Sequence, residues 1–442
     1  MIHLSDRFTV RKLLRFTFPS IIMMVFTSIY GVVDGFFVSN FVGKEAFTAV
    51  NFVMPVIMIL GGFGFMFGTG GGALISKTLG EGDRDRANRL FSMVIAVSAA
   101  IGVAIGVVGI LFIRPITALL GAEGTLLDDC VLYARIVLIG VPAVFLQYEF
   151  QTLFSTAEQP KLGLWITVAA GVTNMVLDGL FVGVFGWGLV GAAVATTASQ
   201  CVGGFLPFLF FCRRNGAGLL RLVRPMWSGK ALVKVCTNGS SELMSNIAMS
   251  IVSMLYNTQL LRYAGEDGVA AYGVLMYVNM IFLAMFIGFS IGTAPIVGYR
   301  FGSGNRAELR EVLRQSLGVI AAFAVIMFAA ALGLARPLSR LFVGYDADLM
   351  SMTVHAFYIY SFSFLFSGFA IFGSSFFTAL NDGLTSALIS FLRTLVFQIA
   401  AVLIFPLIWD LDGIWISITA AEVAAVAVTV AFLFGKRKKY GY

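Results

Sequence analysis

The motif Gly80-Glu81-Gly82-Asp83-Arg84 returns 222 residues later as Gly302-Ser303-Gly304-Asn305-Arg306. Other identical residues keep this offset without a gap: Arg114 and Arg336, Phe154 and Phe376, Trp187 and Trp409, and Gly191 and Gly413. A constant register over so long a stretch indicates that the second half of the chain duplicates the first. In membrane proteins built from two such halves, ligands bind near the interface between the halves.

Composition places this chain in a lipid bilayer. Apolar residues make up 59% of its 442 residues, charged residues 12%, and the mean hydropathy is +0.92. Apolar stretches of about 20 residues, long enough to cross a hydrocarbon core of about 30 Å, recur along the whole sequence. Twelve are predicted, at roughly 14–40, 48–75, 90–113, 130–154, 162–184, 188–212, 236–261, 269–297, 313–335, 351–379, 384–408 and 411–435.

Basic residues are distributed unevenly between the predicted loops. Most of the 30 Lys and Arg residues fall on the side that holds the N-terminus, and the loops on the other side hold only Lys44, Arg114, Arg262, Arg336 and Arg340. This asymmetry follows the positive-inside rule and predicts a cell (inner) membrane protein with both termini in the cytoplasm. It also accounts for the net charge of +7 without nucleic acid as a partner.

The predicted fold is an all-α integral membrane protein with twelve transmembrane helices in two six-helix lobes. Because six is an even number, both lobes enter the membrane from the same side, and a pseudo-two-fold axis along the membrane normal relates them. We expect an N-terminal lobe at 1–212, a cytoplasmic linker at 213–235, and a C-terminal lobe with a basic cytoplasmic tail at 236–442.

Asp34 and Asp178 lie well inside predicted spans of the first lobe, whereas Glu149 lies near the end of the fourth span. Asp34 lies deep in the first span, after Pro19, which can bend that helix. Asn174 and Asp178 are four residues apart in the fifth span and therefore share one helical face. Thr196 in the sixth span can add a hydroxyl group. A charge at the bilayer centre costs several kcal/mol, so these residues predict a site for a proton or for Na⁺.

The second lobe lacks these acids. The equivalent positions, 222 residues after Asp34, Asn174 and Asp178, hold Tyr256, Val396 and Ala400, respectively. A lobe can therefore be built without the carboxylates, which favours a functional role for them. The alternative is that Asp34 and Asp178 are hydrogen-bonded structural groups.

Aromatic and Met residues are abundant in the second lobe. Such side chains bind flat, lipophilic cations by apolar contact and cation–π attraction, and flexible Met surfaces accept varied ligands. We expect a substrate cavity that includes Tyr30, Glu149, Tyr256, Met276 and Met280.

The residues that enzymes use for hydrolysis are sparse. The chain has two His residues, no Ser/His/Asp arrangement, and four Cys residues without metal-ligand spacing. The run Gly68-Thr69-Gly70-Gly71-Gly72 lies in an apolar helix, where small residues allow helices to approach closely. We therefore predict no enzymatic activity, no resident metal and no cofactor.

Several motifs resemble those of the multidrug and toxic compound extrusion (MATE) family. Pro19, Tyr30-Gly31-Val32-Val33-Asp34 and Ala49-Val50 with Pro55 resemble its first two helices, and Gly72-Ala73-Leu74-Ile75-Ser76 precedes a similar loop. The resemblance implies a secondary antiporter that exports lipophilic organic cations by alternating access, with H⁺ or Na⁺ as the coupling ion. It also implies a first-lobe-coupled (DinF-like) branch, with a cation site at Asp34, Asn174, Asp178 and Thr196 and a helix bend at Pro19.

The expected partners are small organic cations and the lipid bilayer, and we expect a monomer. Four other functions are open. A lipid-linked sugar flippase would need several cationic residues in its cavity, for which Arg135 and Arg393 are the candidates. A major-facilitator-type carrier would share the six-plus-six pattern, and a channel or a membrane enzyme would need a filter loop or a catalytic cluster that the sequence does not show.

Overall fold

A computed structural model describes residues 2–37, 41–42, 44–213 and 218–442. All regular structure in these ranges is helical. The helices are α1 (Val10–Phe37), α2 (Lys44–Gly80), α3 (Arg84–Leu119), α4 (Gly124–Ile139), α5 (Val141–Thr156), α6 (Pro160–Asp178), α7 (Gly188–Cys212), α8 (Gly229–Gly302), α9 (Arg306–Val343), α10 (Ala347–Tyr360), α11 (Phe364–Ala379), α12 (Gly383–Phe391), α13 (Phe397–Ile404) and α14 (Pro406–Tyr440).

These helices provide the predicted membrane crossings. Ten helical segments are long and apolar enough to cross a bilayer, and α4 with α5, bent by 58°, forms an eleventh. Helix α8 has 74 residues and breaks at Gly265, whose φ of 64° is not helical. At about 1.5 Å per residue α8 is far longer than one crossing needs, so it supplies two. The described part of the chain therefore makes twelve crossings, as predicted.

The repeated motif builds the same helix junction in both lobes. Gly82 and Gly304 follow α2 and α8 with φ angles of 87° and 70°, a left-handed conformation that glycine adopts without strain. Asp83 and Asn305 then cap α3 and α9, each accepting a hydrogen bond from the backbone N–H three residues further on, at 2.9 and 3.1 Å. The duplication that the sequence indicates is therefore present in the backbone.

The two lobes meet tightly at the end of the molecule that carries these junctions. A Cβ atom on Gly80 would overlap the carbonyl oxygen of Tyr299, and a Cβ atom on Gly302 would overlap that of Lys77. Helix α1 also packs on α8, where Gly292 lies against Thr17. Small residues permit this close approach of helix backbones. We call this end, which bears Lys77, Arg84, Arg300, Arg306 and Lys436, the basic end.

Two boundaries differ from those predicted. Helix α8 begins at Gly229, inside the segment predicted as linker, because Ser228 Oγ caps it by accepting from the Ala231 N–H at 3.3 Å. The predicted span at 130–154 is not one straight helix but the bent pair α4 and α5, which meet at Gly140. Residues 214–217 of the linker, with the basic residue Arg214, lie outside the described residues.

Candidate cation site and substrate cavity

The predicted cation-site residues come together between α1, α6 and α7. Asn174 Nδ2 donates to Asp34 Oδ1 at 3.5 Å, and the carboxyl groups of Asp34 and Asp178 are in direct contact. Asp178 is fully buried and Asn174 is 2% exposed. The structure therefore places residues that are far apart in the sequence in one enclosed polar cluster.

Several oxygen atoms of this cluster have no hydrogen-bond donor among the residues that the structure describes. They are both carboxyl oxygens of Asp178, Oδ1 of Asn174 and Oγ1 of Thr196. Ionised carboxylates only accept hydrogen bonds, so the Asp34–Asp178 contact is satisfied only when a proton or a cation lies between them. Buried polar atoms are nearly always paired in native proteins, and oxygen atoms are the ligands that hard cations prefer.

Local sequence explains how α1 reaches α6. Gly171 leaves room for Phe26 of α1, because a Cβ atom at this position would lie 2.5 Å from Phe26 Cε1 and 3.1 Å from Tyr30 Cδ1. Asp34 is one helical turn beyond Tyr30, so the same contact brings its carboxyl group to Asn174. Helix α6 ends at Asp178 and continues as a π-helical turn, a feature that is frequent at functional sites.

Tyr133 of α4 is a member of the cluster that the sequence analysis did not identify. Its side chain is 3% exposed and lies beside Asp34, Asp178 and the hydroxyl of Thr196. A tyrosine in the middle of an apolar span has no periodic or motif signal of its own. Only the packing of α4 against the other helices reveals its position.

Helix α1 is continuous through Pro19. Next to it, the hydroxyl groups of Ser20 and Ser155 are 2.9 Å apart, which ties α1 to α5 of the same lobe. Proline removes one backbone hydrogen bond from the helix interior, so this turn has fewer constraints than the rest of α1. The bend at Pro19 remains a prediction.

The second lobe has a polar cluster at the equivalent depth, but it is neutral and its hydrogen bonds are made. The Tyr256 hydroxyl donates to Gln398 Oε1 at 2.8 Å and is 2.7 Å from the Ser417 hydroxyl. Its ring stacks on Tyr272 with centroids 5.4 Å apart. Tyr256, which replaces Asp34 at the repeat offset, is thus engaged within its own lobe.

A charged pair also lies inside the second lobe. The Arg393 guanidinium donates from Nε and Nη2 to the two carboxyl oxygens of Glu422, both at 2.9 Å. The side chains are 14% and 5% exposed, so this is an enclosed, neutral pair. Arg135, the other cationic candidate for a phosphate-binding cavity, is exposed on α4. Neither residue provides a free positive charge inside the protein.

The residues predicted to line a substrate cavity occupy different environments. Tyr30 lies beside the cation cluster, and Met280 lies between the lobes, where its carbonyl accepts from Ser28 Oγ at 3.4 Å. Glu149 is fully buried in the first lobe and accepts a hydrogen bond from Ser98, so it does not extend to the membrane surface. Met276 is half-buried. Tyr30 and Glu149 thus lie in the first lobe and Tyr256 and Met276 in the second, and a shared substrate cavity stays a prediction.

Two six-helix lobes that cross the bilayer, with an enclosed carboxyl pair in one of them, define a membrane transporter and not an enzyme. The MatE family model matches residues 19–180 and 243–404. The chain belongs to the MatE family of transporters. Its two matched segments correspond to the two lobes.

Individual relatives extend over nearly the whole chain. The multidrug export protein MepA of Staphylococcus saprophyticus is 24% identical over 434 residues, which cover 97% of this chain and 94% of that protein. MepA of Staphylococcus aureus strain MRSA252 is 23% identical over 429 residues, with the same coverage. An outward-facing multidrug resistance MATE family transporter of the MOP superfamily has a TM-score of 0.91 at 24% identity, covering 98% of this chain and 97% of that one.

Proposed function

We propose that this protein is a secondary active multidrug exporter that exchanges lipophilic organic cations for H⁺ or Na⁺. The observation that carries the coupling is the group of buried, unpartnered oxygen atoms on Asn174, Asp178 and Thr196 beside Asp34. The names of the MepA relatives support multidrug export as the transported class.

The coupling ion would act by changing the charge of the first-lobe cluster. With the ion bound, Asp34 and Asp178 approach each other without repulsion. When it leaves, two adjacent carboxylates in a medium of low dielectric constant repel each other, and α1 has to move relative to α6. The turn at Pro19 is where α1 can bend with the least loss of hydrogen bonds. Movement of α1 would then alter its packing on α8 of the other lobe.

Alternating access requires the contacts between the lobes to open and close in turn. The basic end is closed by the backbone contacts of Gly80 with Tyr299 and of Gly302 with Lys77. The positive-inside rule supports a cytoplasmic position for this end in the cell membrane. Substrates would then enter between α1 and α8, near Tyr30 and Met280, when those glycine contacts separate, and leave on the opposite side when they re-form.

The test is efflux of ethidium from proteoliposomes that contain the purified protein, with pH and Na⁺ gradients imposed separately. One of the two gradients should drive efflux, and Asp34→Asn and Asp178→Asn should abolish it. Asp128→Asn is the matched control, because this exposed acid pairs with Arg114 on the surface. Undiminished efflux in the Asp34 and Asp178 variants would refute the coupling role. No efflux under either gradient would instead favour a flippase or a carrier of narrow specificity.

A further inference from the structure

A cavity of about 110 Å³ opens at the basic end of the second lobe, where α8 ends, α9 begins and the last turn of α14 passes. Its walls include Arg300, Phe301, Gly304, Arg306, Lys439 and Tyr440. A single water molecule needs roughly 10–15 Å³ of such space, so the cavity admits a group of several atoms. Three of its seven lining residues are cations, and none is an acid. We call this space the basic cavity.

Arg300 forms the buried wall of the basic cavity. Its side chain is 6% exposed; Nη1 lies 2.8 Å from Glu308 Oε2, and Nη2 donates to the Asp6 carbonyl at 2.5 Å. Its Nε–H is buried and has no acceptor among the described residues. A buried donor without a partner destabilises the protein unless a bound group supplies the acceptor.

The other two cations are not neutralised. Arg306 and Lys439 are exposed, and neither has an ion pair or a hydrogen-bond acceptor in the part of the chain that the structure describes. Glu308 balances the charge of Arg300 alone. The basic cavity therefore carries an excess positive charge at the start of α9, where the backbone N–H groups of the first turn add the positive end of the helix dipole.

The repeat shows what the equivalent cation does when it has acceptors. Arg84, the first-lobe counterpart of Arg306, donates from Nη2 to the Gly218 carbonyl at 2.8 Å and from Nε to the Leu219 carbonyl at 3.1 Å. Arg306 instead packs with its side-chain carbons against Gly441 and makes no such bond. The first-lobe cation is therefore bound by carbonyl oxygens of the chain itself, whereas Arg306 has no acceptor among the described residues.

We propose that the basic cavity binds a phosphate group through Arg300 Nε, Arg306 and Lys439. Phosphate oxygens are strong acceptors for such donors, and arginine matches their geometry with two parallel hydrogen bonds. The group could belong to the head of an anionic phospholipid or to free inorganic phosphate. This site is separate from the transport site and does not depend on the proposed function.

The test is thermal unfolding of the purified full chain in detergent, titrated with short-chain phosphatidylglycerol. Phosphatidylcholine with the same acyl chains is the comparison lipid, because its choline cation cancels the phosphate charge and leaves the headgroup without net charge. Inorganic phosphate is titrated against chloride at equal ionic strength. We expect phosphatidylglycerol to raise the unfolding temperature more than phosphatidylcholine does. The variant Arg306→Gln/Lys439→Gln should need a roughly 30-fold higher phosphatidylglycerol concentration for the same rise in unfolding temperature. Each surface cation contributes about 1 kcal/mol to binding an anionic headgroup, and the variant lacks two.

The matched control is Arg310→Gln/Lys438→Gln, which removes the same charge from the same two helices at exposed positions outside the cavity. This control variant should show the same rise in unfolding temperature with phosphatidylglycerol as the wild type. Protection by phosphatidylglycerol alone would assign the site to a lipid, and equal protection by inorganic phosphate would assign it to the free anion. The proposal would be overturned if both double variants needed the same increase in phosphatidylglycerol concentration. It would also be overturned if phosphatidylglycerol stabilised the protein no more than phosphatidylcholine, and phosphate no more than chloride.

A second measurement applies if the Arg306→Gln/Lys439→Gln variant fails to fold. Native mass spectrometry of the unmodified protein, incubated with equal amounts of the two lipids, counts the molecules of each that remain bound. Retention of phosphatidylglycerol in preference to phosphatidylcholine is expected. Equal retention of the two lipids would contradict a phosphate site that recognises anionic headgroups.

Discussion

Gly80 and Gly302 occupy equivalent positions in the two lobes, and each lies against a backbone carbonyl of the other lobe. Gly80 meets the carbonyl of Tyr299, and Gly302 meets that of Lys77, which is the counterpart of Tyr299 at the same offset of 222 residues. The contact is therefore symmetric about the pseudo-two-fold axis. It holds α2 and α8 together at the basic end, where neither position has room for a side chain.

Gly302→Ala should weaken closure of the basic end. The added Cβ would overlap the Lys77 carbonyl, and backbone atoms cannot move aside as a flexible side chain can. We expect a larger distance between spin labels on exposed sites of α3 and α9 at this end, with slower efflux. Gly318→Ala is the control, because its Cβ would meet no atom within 4 Å and alanine favours the helix by about 0.5–1 kcal/mol. An unchanged distance in Gly302→Ala would contradict the glycine closure.

Asp34→Asn should stabilise the fold even as it removes transport. In alkaline solution without a coupling ion, an amide at this position relieves the repulsion with Asp178 and offers a donor to its unpartnered oxygens. We expect a gain of about 1–3 kcal/mol, measured as a higher unfolding temperature. Asp128→Asn on the surface should change stability by less than about 1 kcal/mol. A lower unfolding temperature for Asp34→Asn would indicate a structural carboxylate instead.

The Arg393–Glu422 pair should show strong coupling in a double-mutant cycle. Glu422→Leu leaves a buried guanidinium without its counter-charge, and Arg393→Met leaves a buried carboxylate without its own. Each single change is expected to cost about 3–5 kcal/mol of stability. Combining Arg393→Met with Glu422→Leu removes both charges, and the double variant should lie within about 1 kcal/mol of the wild type. Chemical unfolding in detergent measures all the variants. Additive effects of the two single changes would show that the charges do not stabilise each other.

Asp382 should contribute a pH-dependent increment of stability at the basic end. Burial disfavours its charged form, but hydrogen bonds from Lys436 and Tyr440, both at 2.7 Å, outweigh burial and lower its pKa. A carboxyl group whose pKa is lowered by folding stabilises the protein above its ordinary pKa of 3.8, and this stabilisation is lost as the pH falls through the folded-state value.

Asp382→Asn is therefore expected to lower stability by about 1.5–3 kcal/mol at neutral pH, the range for hydrogen bonds to charged groups. The difference from the wild type should narrow as the pH falls below 3.8. Unfolding temperatures measured across an acidic to neutral pH series test this. A difference that stays constant with pH would assign the loss to packing rather than to the charge. Lys436→Met should produce the same trend, because it removes the partner of the same carboxylate.

Much of the architecture follows from local properties of the sequence. Twelve apolar stretches must cross a bilayer, because no other environment accommodates so much apolar surface. The repeat of the Gly82-Asp83 and Gly304-Asn305 junctions predicts two lobes, since a left-handed glycine and a helix cap act on their own few residues. The cation-site residues were also predictable from local properties of the sequence. A carboxylate inside an apolar helix is too costly to be there without a partner, and the spacing of Asn174 and Asp178 places them on one face.

The tertiary structure alone decided how these elements meet. Tyr133 joins the cation cluster because α4 packs against α7, which carries Thr196. The charge of Arg393 is balanced because α14 brings the Glu422 carboxylate to it. The basic cavity combines Arg306 and Lys439 from helices whose proximity no local pattern encodes. Periodicity and helix propensity report interactions between near neighbours in the chain. Contacts between distant helices depend on the combined shape of two surfaces, which the linear order of residues does not display.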